Sequence, residues 1–317
     1  MVDLVSLGEV LIDFTPAGSS ARGNPLFERN PGGGPANMAC AVARLGGRVA
    51  FIGQVGNDVF GRSLKNILEG NGVDAARLRL SDAYQTTLAF VHLAEDGERS
   101  FSFYRRQGAD TMLEPEPEDY ATIEGARAFF FSSVLMTEGT SRRASVTLAA
   151  YAREKGVLTV FDPNLRLNLW ESAEEARRVI REALSLADIV KVSEEELRFL
   201  TGAEELEEAA RLLRTAYPMR ALLVTLGREG CRAYIGARRF EAAGYPVDTV
   251  DTTGAGDSFT GGFLFCLLQG TRDITARTDV EIVDMLQFAN AVGALTTTKK
   301  GGIPALPSYD VVLEFLR

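Results

Sequence analysis

Short apolar runs alternate with longer amphipathic segments along most of the 317 residues, and this alternation constrains the fold more than any other feature of the sequence. The apolar runs predict buried strands and the segments between them predict helices. Strands are predicted over 4–7, 50–52, 128–134, 157–161, 189–191 and 221–226, and helices over 37–45, 142–154, 174–185, 194–200 and 205–214. Because parallel strands need a crossover connection, the pattern predicts an α/β fold with a doubly wound, mostly parallel sheet covered by helices on both faces.

Two segments depart from this rhythm. Residues 14–30 and 86–104 alternate apolar and polar side chains, and Glu95-Asp96-Gly97-Glu98 between two such runs is typical of a hairpin turn. Period-two alternation predicts strands with one face in solvent. We therefore expect a single domain over 1–317, with a small antiparallel β-sheet lid inserted from about 14–30 and 86–112.

Charge and hydropathy exclude several classes of protein. Asp and Glu number 43 against 34 Lys and Arg, which gives a net charge of −9. An acidic chain without basic runs argues against nucleic-acid binding. No run approaches the roughly 18 apolar residues of a membrane span, and the first residues lack a secretory leader pattern. We expect a cytoplasmic protein with neither nucleic-acid nor membrane partners.

The histidine and cysteine content limits the chemistry. His92 is the single histidine, which excludes Ser-His-Asp, Cys-His and multi-histidine metal mechanisms. Cys40, Cys231 and Cys266 are far apart and never in Cys-x-x-Cys spacing, so the sequence predicts reduced thiols. Acid–base chemistry would have to come from carboxylates, lysines or tyrosines.

The most informative motif is Asp251-Thr252-Thr253-Gly254-Ala255-Gly256-Asp257-Ser258-Phe259. It joins a strand-like run, Val247–Val250, to an apolar helix predicted over Phe259–Leu268. The small side chains of Gly254, Ala255 and Gly256 would let an anion approach the backbone amides, and Asp257 would lie beside it. By itself such a motif is more often an ordinary turn into a helix with an acidic first turn.

Glycines elsewhere give weaker signals. Gly261-Gly262 inside the apolar helix indicate close contact of the backbone with a neighbouring helix or a ligand, since each costs about 1 kcal/mol relative to Ala. Gly32-Gly33-Gly34-Pro35-Ala36-Asn37 precedes an Ala-rich helix. Neither glycine cluster has the Gly-Lys-Ser/Thr of a phosphate-binding P-loop or the Gly-x-Gly-x-x-Gly of a dinucleotide site, which disfavours hydride transfer.

Polar motifs follow two predicted parallel strands. Asp162-Pro163-Asn164-Leu165-Arg166 follows one strand, where a sheet of this kind binds ligands, and Arg166 could neutralise phosphate there. An Asx-Pro turn with a surface arginine explains the same residues. Ser193-Glu194-Glu195-Glu196 has capping-box spacing, while Glu196 could also face a metal-bound nucleotide. Leu226-Gly227-Arg228-Glu229-Gly230 is typical of a hairpin turn.

In their order along the chain these segments resemble the ribokinase-like carbohydrate kinases of the PfkB family. The resemblance covers essentially the whole chain and rests on Gly8–Asp13, Gly32–Asn37, Gly53–Gly61, Asp162–Arg166 and Asp251–Asp257. It implies the ribokinase-like fold and transfer of the γ-phosphoryl group of ATP to a primary hydroxyl of a sugar. It also implies that Asp257 is the base, that Gly254, Ala255 and Gly256 form the anion hole, and that Arg166 stabilises charge on the transferring group.

The resemblance further implies a sugar site at Asp13, Gly33, Gly34 and Asn37. The segment Phe101–Asp110 is similar to the lid of fructokinases, which assigns Phe103 and Arg105 to substrate binding and favours fructose. The alternative is a 2-keto-3-deoxygluconate kinase, whose acid substrate Arg105 and Arg166 could pair with, although Phe103-Tyr104 and Ala109-Asp110 depart from that pattern. The hypothesis of a non-catalytic regulator that binds sugar or nucleotide is less favoured.

For ATP, the resemblance implies a second set of residues: Asn164, Ser193, Thr225, Gly227, Gly230, Gly254, Gly256 and Asn290. Ser193 stands where the family's Asn-x-x-Glu motif has Asn, and Glu196 would hold Mg²⁺ through water. Asp251 and Thr253 resemble part of a monovalent-cation site, which would take K⁺. The partners expected are a small-molecule sugar and ATP, and the lid sheet allows a homodimer to form through it.

Overall fold

Strands and helices alternate through the parts of the chain that this computed structural model describes, residues 2–93, 99–270 and 273–317. The strands are β1 Val2–Leu7, β2 Leu11–Ser19, β3 Pro25–Gly32, β4 Val49–Gly56, β5 Val73–Asp74, β6 Leu78–Ser81, β7 Leu88–Leu93, β8 Arg99–Tyr104, β9 Ala126–Ser132, β10 Leu158–Asp162, β11 Ile189–Ser193, β12 Ala221–Thr225, β13 Gly230–Ile235 and β14 Arg238–Ala243. The helices are α1 Gly34–Arg44, α2 Val59–Gly70, α3 Pro117–Glu124, α4 Ser141–Glu154, α5 Ala173–Leu184, α6 Glu194–Thr201, α7 Leu206–Ala216, α8 Ala255–Leu268, α9 Asp279–Thr296 and α10 Tyr309–Phe315.

The large sheet has the order β14-β13-β12-β11-β10-β9-β1-β4-β5, with β6 also paired to β4. Strands from β12 through β11, β10, β9, β1 and β4 run parallel, and β13 and β14 add an antiparallel edge. The prediction of a doubly wound, mostly parallel sheet is therefore confirmed, and the predicted hairpin turn at 226–230 joins β12 to β13.

Both faces of this sheet are buried, which explains why its strands are apolar without a clear period of two. Leu4 of β1 belongs to the core under α1, α8 and α9, whereas Val5 belongs to the core under α4, α5 and α7. In β9, Phe130 belongs to the first of these cores and Phe131 to the second. Parallel sheets covered by helices on both sides have this composition. No helix in the described ranges is long and apolar enough to span a bilayer.

The small sheet has the order β3-β2-β7-β8. Its two outer pairs are antiparallel, but β2 and β7 run parallel, so the expected purely antiparallel lid is wrong in its central pair. The reason is topological: between β2 and β7 the chain crosses back through the large sheet and enters both strands in the same direction. Residues 109–112 form a 3₁₀ turn outside this sheet, and the turn predicted at Glu95–Glu98 lies outside the described residues.

The strand predicted at Val247–Val250 is also wrong. These four described residues form no strand; instead the backbone N–H groups of Val250 and Asp251 both donate to the carbonyl of Thr297, just after α9. The helix that follows begins at Ala255, one turn earlier than predicted, because Gly254 adopts a left-handed conformation with φ of 77° that lets the chain enter the helix there.

The glycines of α8 serve helix packing. A Cβ on Gly261 would lie 2.7 Å from the Cβ of Ala41 in α1, and one on Gly262 would lie 3.0 Å from a methyl group of Val292 in α9. Of the two explanations for these glycines, contact with neighbouring helices is the one that the structure supports. Close packing on α1 and α9 fixes the N-terminus of α8 relative to the sheet.

Candidate active site

A cavity of about 560 Å³ opens at the carboxyl ends of the parallel strands. From β1 the chain adds β4 on one side of the sheet and β9 on the other, so the sheet changes winding direction between β1 and β9. Such a switch point leaves a crevice between the loops that follow the strands. The loop after β10, the start of α8 and the small sheet contribute walls of this cavity.

Asp257 lies in the first turn of α8 and lines this cavity. Its carboxylate accepts two side-chain hydrogen bonds, from Asn37 Nδ2 to Oδ2 at 2.9 Å and from Asn164 Nδ2 to Oδ1 at 3.2 Å. Asn164 is held in place by a left-handed backbone, with φ of 45°, after β10. Two amides therefore fix the plane of the carboxylate, although neither amide was predicted to contact it.

The N-terminus of α8, where the sequence predicts an anion site, lies in the cavity wall. Gly254 is the N-cap, and it has no side chain to bond the first backbone N–H groups of the helix. These amides and the helix dipole favour a negatively charged group. A Cβ on Gly256 would lie 3.1 Å from Nζ of Lys191, so the ammonium group is next to this helix end.

Lys191 is a cavity residue that was not predicted from the sequence. It lies near the end of β11, lines the cavity, and its Nζ is 3.1 Å from Oδ2 of Asp162; both side chains are buried. The signal in the sequence was a lysine inside an otherwise apolar parallel strand, where a charge is buried only with a partner. The ammonium group adds positive charge beside the proposed anion site.

Burial sets the protonation behaviour of the carboxyl groups. Burial raises the pKa of Asp257, while the hydrogen bond from Asn37 and the positive charges of Lys191 and Arg166 oppose that shift. Burial also raises the pKa of Asp162 to about 7 and that of Asp13 to about 6. Burial alone would lower the pKa of Lys191, but the surrounding carboxylates outweigh it and raise the pKa, so the lysine remains charged.

Comparison with known proteins fits this architecture. Residues 1–308 match the family described as pfkB family carbohydrate kinase. The chain belongs to the pfkB family of carbohydrate kinases. It is 44% identical over 316 residues to a probable fructokinase-4 of Arabidopsis thaliana, covering 99% of this chain and 96% of that protein.

Solved structures extend the likeness to the fold. A fructokinase with bound ATP from Xylella fastidiosa has a TM-score of 0.90 and 34% identity, covering 99% of this chain and 98% of that one. A double-mutant fructokinase of Vibrio cholerae O395, in a form with bound fructose, ADP and potassium ion, has a TM-score of 0.89 and 35% identity, covering 100% of this chain and 99% of that one.

Within this pfkB kinase, most residues expected to bind the sugar lie together. Asp13, Gly33, Gly34, Phe103 and Arg166 all line the cavity. Asp13 lies on β2 and Phe103 on β8, so the small sheet supplies side chains to the cavity formed at the edge of the large one. The charge of Arg166 acts on the carboxyl of Asp13 and opposes the rise in its pKa.

Arg105 does not lie in the sugar cavity, contrary to the prediction from the sequence. Its side chain is only 3% exposed and does not line the cavity. The guanidinium donates to Asp110 Oδ2 at 2.7 Å, to Thr137 Oγ1 at 2.6 Å and to the carbonyl of Val134 at 2.9 Å. The expectation that Arg105 is free to pair with an anionic substrate is therefore wrong: this cation already neutralises a buried carboxylate at the base of the lid.

The residues expected to bind ATP divide into two groups. Asn164, Ser193 and Glu196 line the cavity together with the α8 turn. Ser193 caps α6, and the carboxylate of Glu196 accepts the N–H of Ser193 at 2.7 Å through Oε2 and that of Leu165 at 2.7 Å through Oε1. The capping role of this motif is confirmed, and the same bonds tie the loop after β10 to the start of α6.

Other predicted nucleotide residues lie beyond the cavity wall. Thr225 pairs with Ser193 across β11 and β12, and the hairpin after it turns through Gly227 and Gly230, whose φ values are 58° and 106°. Asn290, predicted to bind ATP, is only 7% exposed. Its Nδ2 donates to the carbonyls of Ala242 and Ala243 at 3.0 Å. Its amide therefore joins α9 to β14 rather than being free for a nucleobase.

The loop before α8 is tied to the segment after α9. Asp251 Oδ1 accepts the backbone N–H of Thr253 at 2.9 Å and its hydroxyl at 2.8 Å, and Oδ2 accepts the N–H of Gly301 at 3.0 Å. The residues expected around a monovalent cation are thus brought together. Among the described residues no cluster of three or more His, Cys, Asp or Glu side chains could hold a metal ion directly.

Proposed function

We propose that this protein is an ATP-dependent fructokinase that transfers the γ-phosphoryl group to the primary C6 hydroxyl of fructose, giving fructose 6-phosphate and ADP. The observation that carries the proposal is the placement of Asp257, held by two amides, at the junction of the sugar-side cavity and the α8 anion site. The fructokinases that resemble this chain over their whole length support the choice of sugar.

The reaction requires positioning more than a strong base. The C6 hydroxyl oxygen attacks the γ-phosphorus, its proton passes to the carboxylate of Asp257, and the bond from γ-phosphorus to the bridging oxygen breaks to release ADP. Asn37 and Asn164 donate to the carboxylate, which stabilises its ionised form and fixes its direction. The amides of Gly254, Ala255 and Gly256, with Arg166, stabilise the charge on the transferring group.

A neutral sugar suits the cavity better than a sugar acid. Of the two cations that could pair with an acid substrate, Arg105 is already committed to Asp110, and Arg166 is assigned to the transferring phosphoryl group. Asp13 in the wall adds negative charge that would repel a carboxylate. Asp13, Gly33 and Gly34 instead offer acceptors and backbone groups suited to hydroxyls, so 2-keto-3-deoxygluconate is disfavoured.

We assign ATP to the side of the cavity formed by Ser193, Glu196 and the α8 turn, with Thr225, Gly227 and Gly230 beyond it. Mg²⁺ fits Glu196 through water, because both oxygens of that carboxylate already accept backbone N–H groups and because Mg²⁺ keeps much of its water shell in nucleotide sites. When bound, the ion neutralises charge on the phosphates.

We further assign K⁺ to the loop containing Asp251 and Thr253, and a homodimer contact to the small sheet. Phe27 and Tyr104 of that sheet are 42% and 69% exposed, and both rings contact Phe90, so an aromatic surface is available to a second copy. Stimulation by K⁺ over Na⁺ and sedimentation as a dimer would test these two assignments.

The proposed function is tested by ADP release from Mg-ATP with fructose, 2-keto-3-deoxygluconate, ribose and adenosine offered separately, with a sugar-free blank. We expect turnover with fructose well above the other three, and a product whose phosphate lies on C6 by phosphorus NMR. Turnover with the keto-acid alone would contradict the proposal, as would ADP release that does not depend on sugar.

A further inference from the structure

The ammonium group of Lys191 is a buried cation whose hydrogen-bonding capacity is only partly used within the protein. Its side chain is 8% exposed and lines the cavity. An ammonium group has three N–H donors. The ion pair with Asp162 can take one of them, and Nζ makes no hydrogen bond to any other residue in the described part of the chain. Buried donors are normally satisfied, so the cavity is where a further partner would bind.

The neighbours of Lys191 place its ammonium group at the proposed anion site. A Cβ on Gly256, in the first turn of α8, would lie 3.1 Å from Nζ. The pKa of Lys191 is raised, against the effect of burial, by the charges of Asp162, Glu196 and Asp257. The cation is therefore close both to the proposed base and to the carboxylate that we assign to Mg²⁺ through water.

This position selects one phosphoryl group of the nucleotide. In the proposed reaction the proton of the attacking hydroxyl passes to Asp257, so the γ-phosphoryl group has to lie next to that carboxylate. A metal ion in such a site bridges the β- and γ-phosphates, which brings the same group towards Glu196. The γ-phosphoryl group is thus the one that lies near both residues. Its oxygens are negatively charged, and lysine binds phosphate as a compact point charge.

We propose that Lys191 is a further catalytic residue: its ammonium group donates to an oxygen of the γ-phosphoryl group of ATP, while the ion pair with Asp162 holds the side chain in place. This inference rests on the proposed kinase function and deepens it. A lysine that only neutralised Asp162 would affect ATP and ADP alike. Contact with the γ-phosphoryl group, which ADP lacks, affects ATP alone.

The test measures dissociation constants by titration calorimetry, without sugar, for the Mg²⁺ complexes of ADP and of the β,γ-imido analogue of ATP. For Lys191→Met we expect the Kd of the analogue to rise about tenfold or more, because a hydrogen bond between charged groups is lost, and the Kd of ADP to stay within about threefold of wild type. Lys155→Met is the matched control, because Lys155 is paired with Glu124 at 2.8 Å and does not line the cavity. Both constants should be unchanged in this control.

A second variant separates contact with the nucleotide from loss of the ion pair. Lys191→Met leaves Asp162 buried without its cation, which destabilises the fold. The double variant Lys191→Met/Asp162→Asn removes that unpaired charge, and Asn keeps an oxygen that can accept the backbone N–H of Asn164, now 3.0 Å from Asp162 Oδ1. We expect the double variant to regain stability in urea but still to bind the ATP analogue about tenfold more weakly than wild type.

Two results would overturn the inference. One is a double variant that binds the ATP analogue as tightly as wild type does. The other is a Kd that rises by the same factor for ADP and for the analogue in both variants, since this would show that Lys191 acts only through the structure of the site.

Turnover of fructose distinguishes this inference from the proposed function. In the double variant, kcat with saturating fructose and Mg-ATP should fall about tenfold or more, because the charge on the transferring group loses a stabilising cation. A wild-type protein that binds both nucleotides but does not phosphorylate fructose would refute the proposed sugar, and the binding comparison would still decide the role of Lys191. A wild-type protein that does not bind the ATP analogue would overturn both.

Discussion

Gly34→Ala isolates the positioning of the proposed base from the stability of the fold. An added Cβ would meet Asn164 Nδ2 well inside the 3.0 Å at which a neighbouring atom must shift, and would lie 3.1 Å from Asp257 Oδ1. The φ of Gly34 is not positive, and alanine favours a helix start, so the backbone itself tolerates the change. The overlap is therefore relieved by moving the Asn164 amide away from Asp257.

The expected fall in kcat follows from the loss of the hydrogen bond from Asn164 to Asp257. A hydrogen bond to a charged group contributes about 1.5–3 kcal/mol, and each 1.4 kcal/mol in the barrier is about tenfold in rate. A displacement of about 1 Å in a catalytic group has effects of about 10²-fold. We expect kcat for fructose phosphorylation to fall about 10- to 100-fold while the urea midpoint changes little.

The assay is steady-state ADP release with saturating fructose and Mg-ATP. Gly70→Ala is the matched control, because a Cβ on Gly70 at the end of α2 meets nothing within 4 Å and its φ is not positive. We expect this control to keep wild-type kcat. A Gly34→Ala protein with wild-type kcat and a wild-type urea midpoint would refute the argument that the Asn164 amide positions the base.

Three further variants test other parts of the account. Lys191→Met should lower kcat at least about tenfold, because it removes a cation beside the anion site. It should also lower the free energy of unfolding in urea, because it leaves Asp162 buried without its partner. Arg105→Met should destabilise the fold by about 3 kcal/mol in urea, since Asp110 loses its buried cation, whereas the exposed Arg106→Met should not. Burial raises the pKa of Glu9, a carboxyl group just after β1, to about 8, so the folded protein keeps a proton that the unfolded chain releases above about pH 4.5. The free energy of unfolding of wild type should therefore fall relative to that of Glu9→Gln as the pH rises from about 5 to 8. A difference between the two proteins that does not change with pH would contradict this.

The large sheet was predictable because burial on both faces leaves a strong local signal in each strand. The direction of β2 relative to β7 was not, since it depends on the path of the chain between them rather than on either strand. Val247–Val250 has the composition of a strand but finds no neighbouring strand, so pairing overrode local preference.

The site residues were likewise predictable where the signal is local in the sequence, and not where it depends on distant contacts. Asp257 and the α8 turn were predictable because glycine, a following carboxylate and an apolar helix occur together in sequence. Arg105 and Asn290 were misplaced because Thr137 and Ala242, which engage them, lie far away along the chain. Lys191 was missed because a single charge within an apolar run gives no local indication of whether it faces a partner or a ligand.

In the proposed mechanism Asp257 accepts the proton of the attacking hydroxyl, and the Asp257→Asn variant removes this acceptor while keeping the size of the side chain. Its kcat and its KM for fructose should be measured beside those of wild type and of Asp248→Asn, a matched change at an exposed carboxylate. The account predicts a fall in kcat of about 10³-fold for Asp257→Asn, with KM within a few-fold of wild type and no loss for Asp248→Asn. A folded Asp257→Asn enzyme that phosphorylates fructose at the wild-type rate would contradict it.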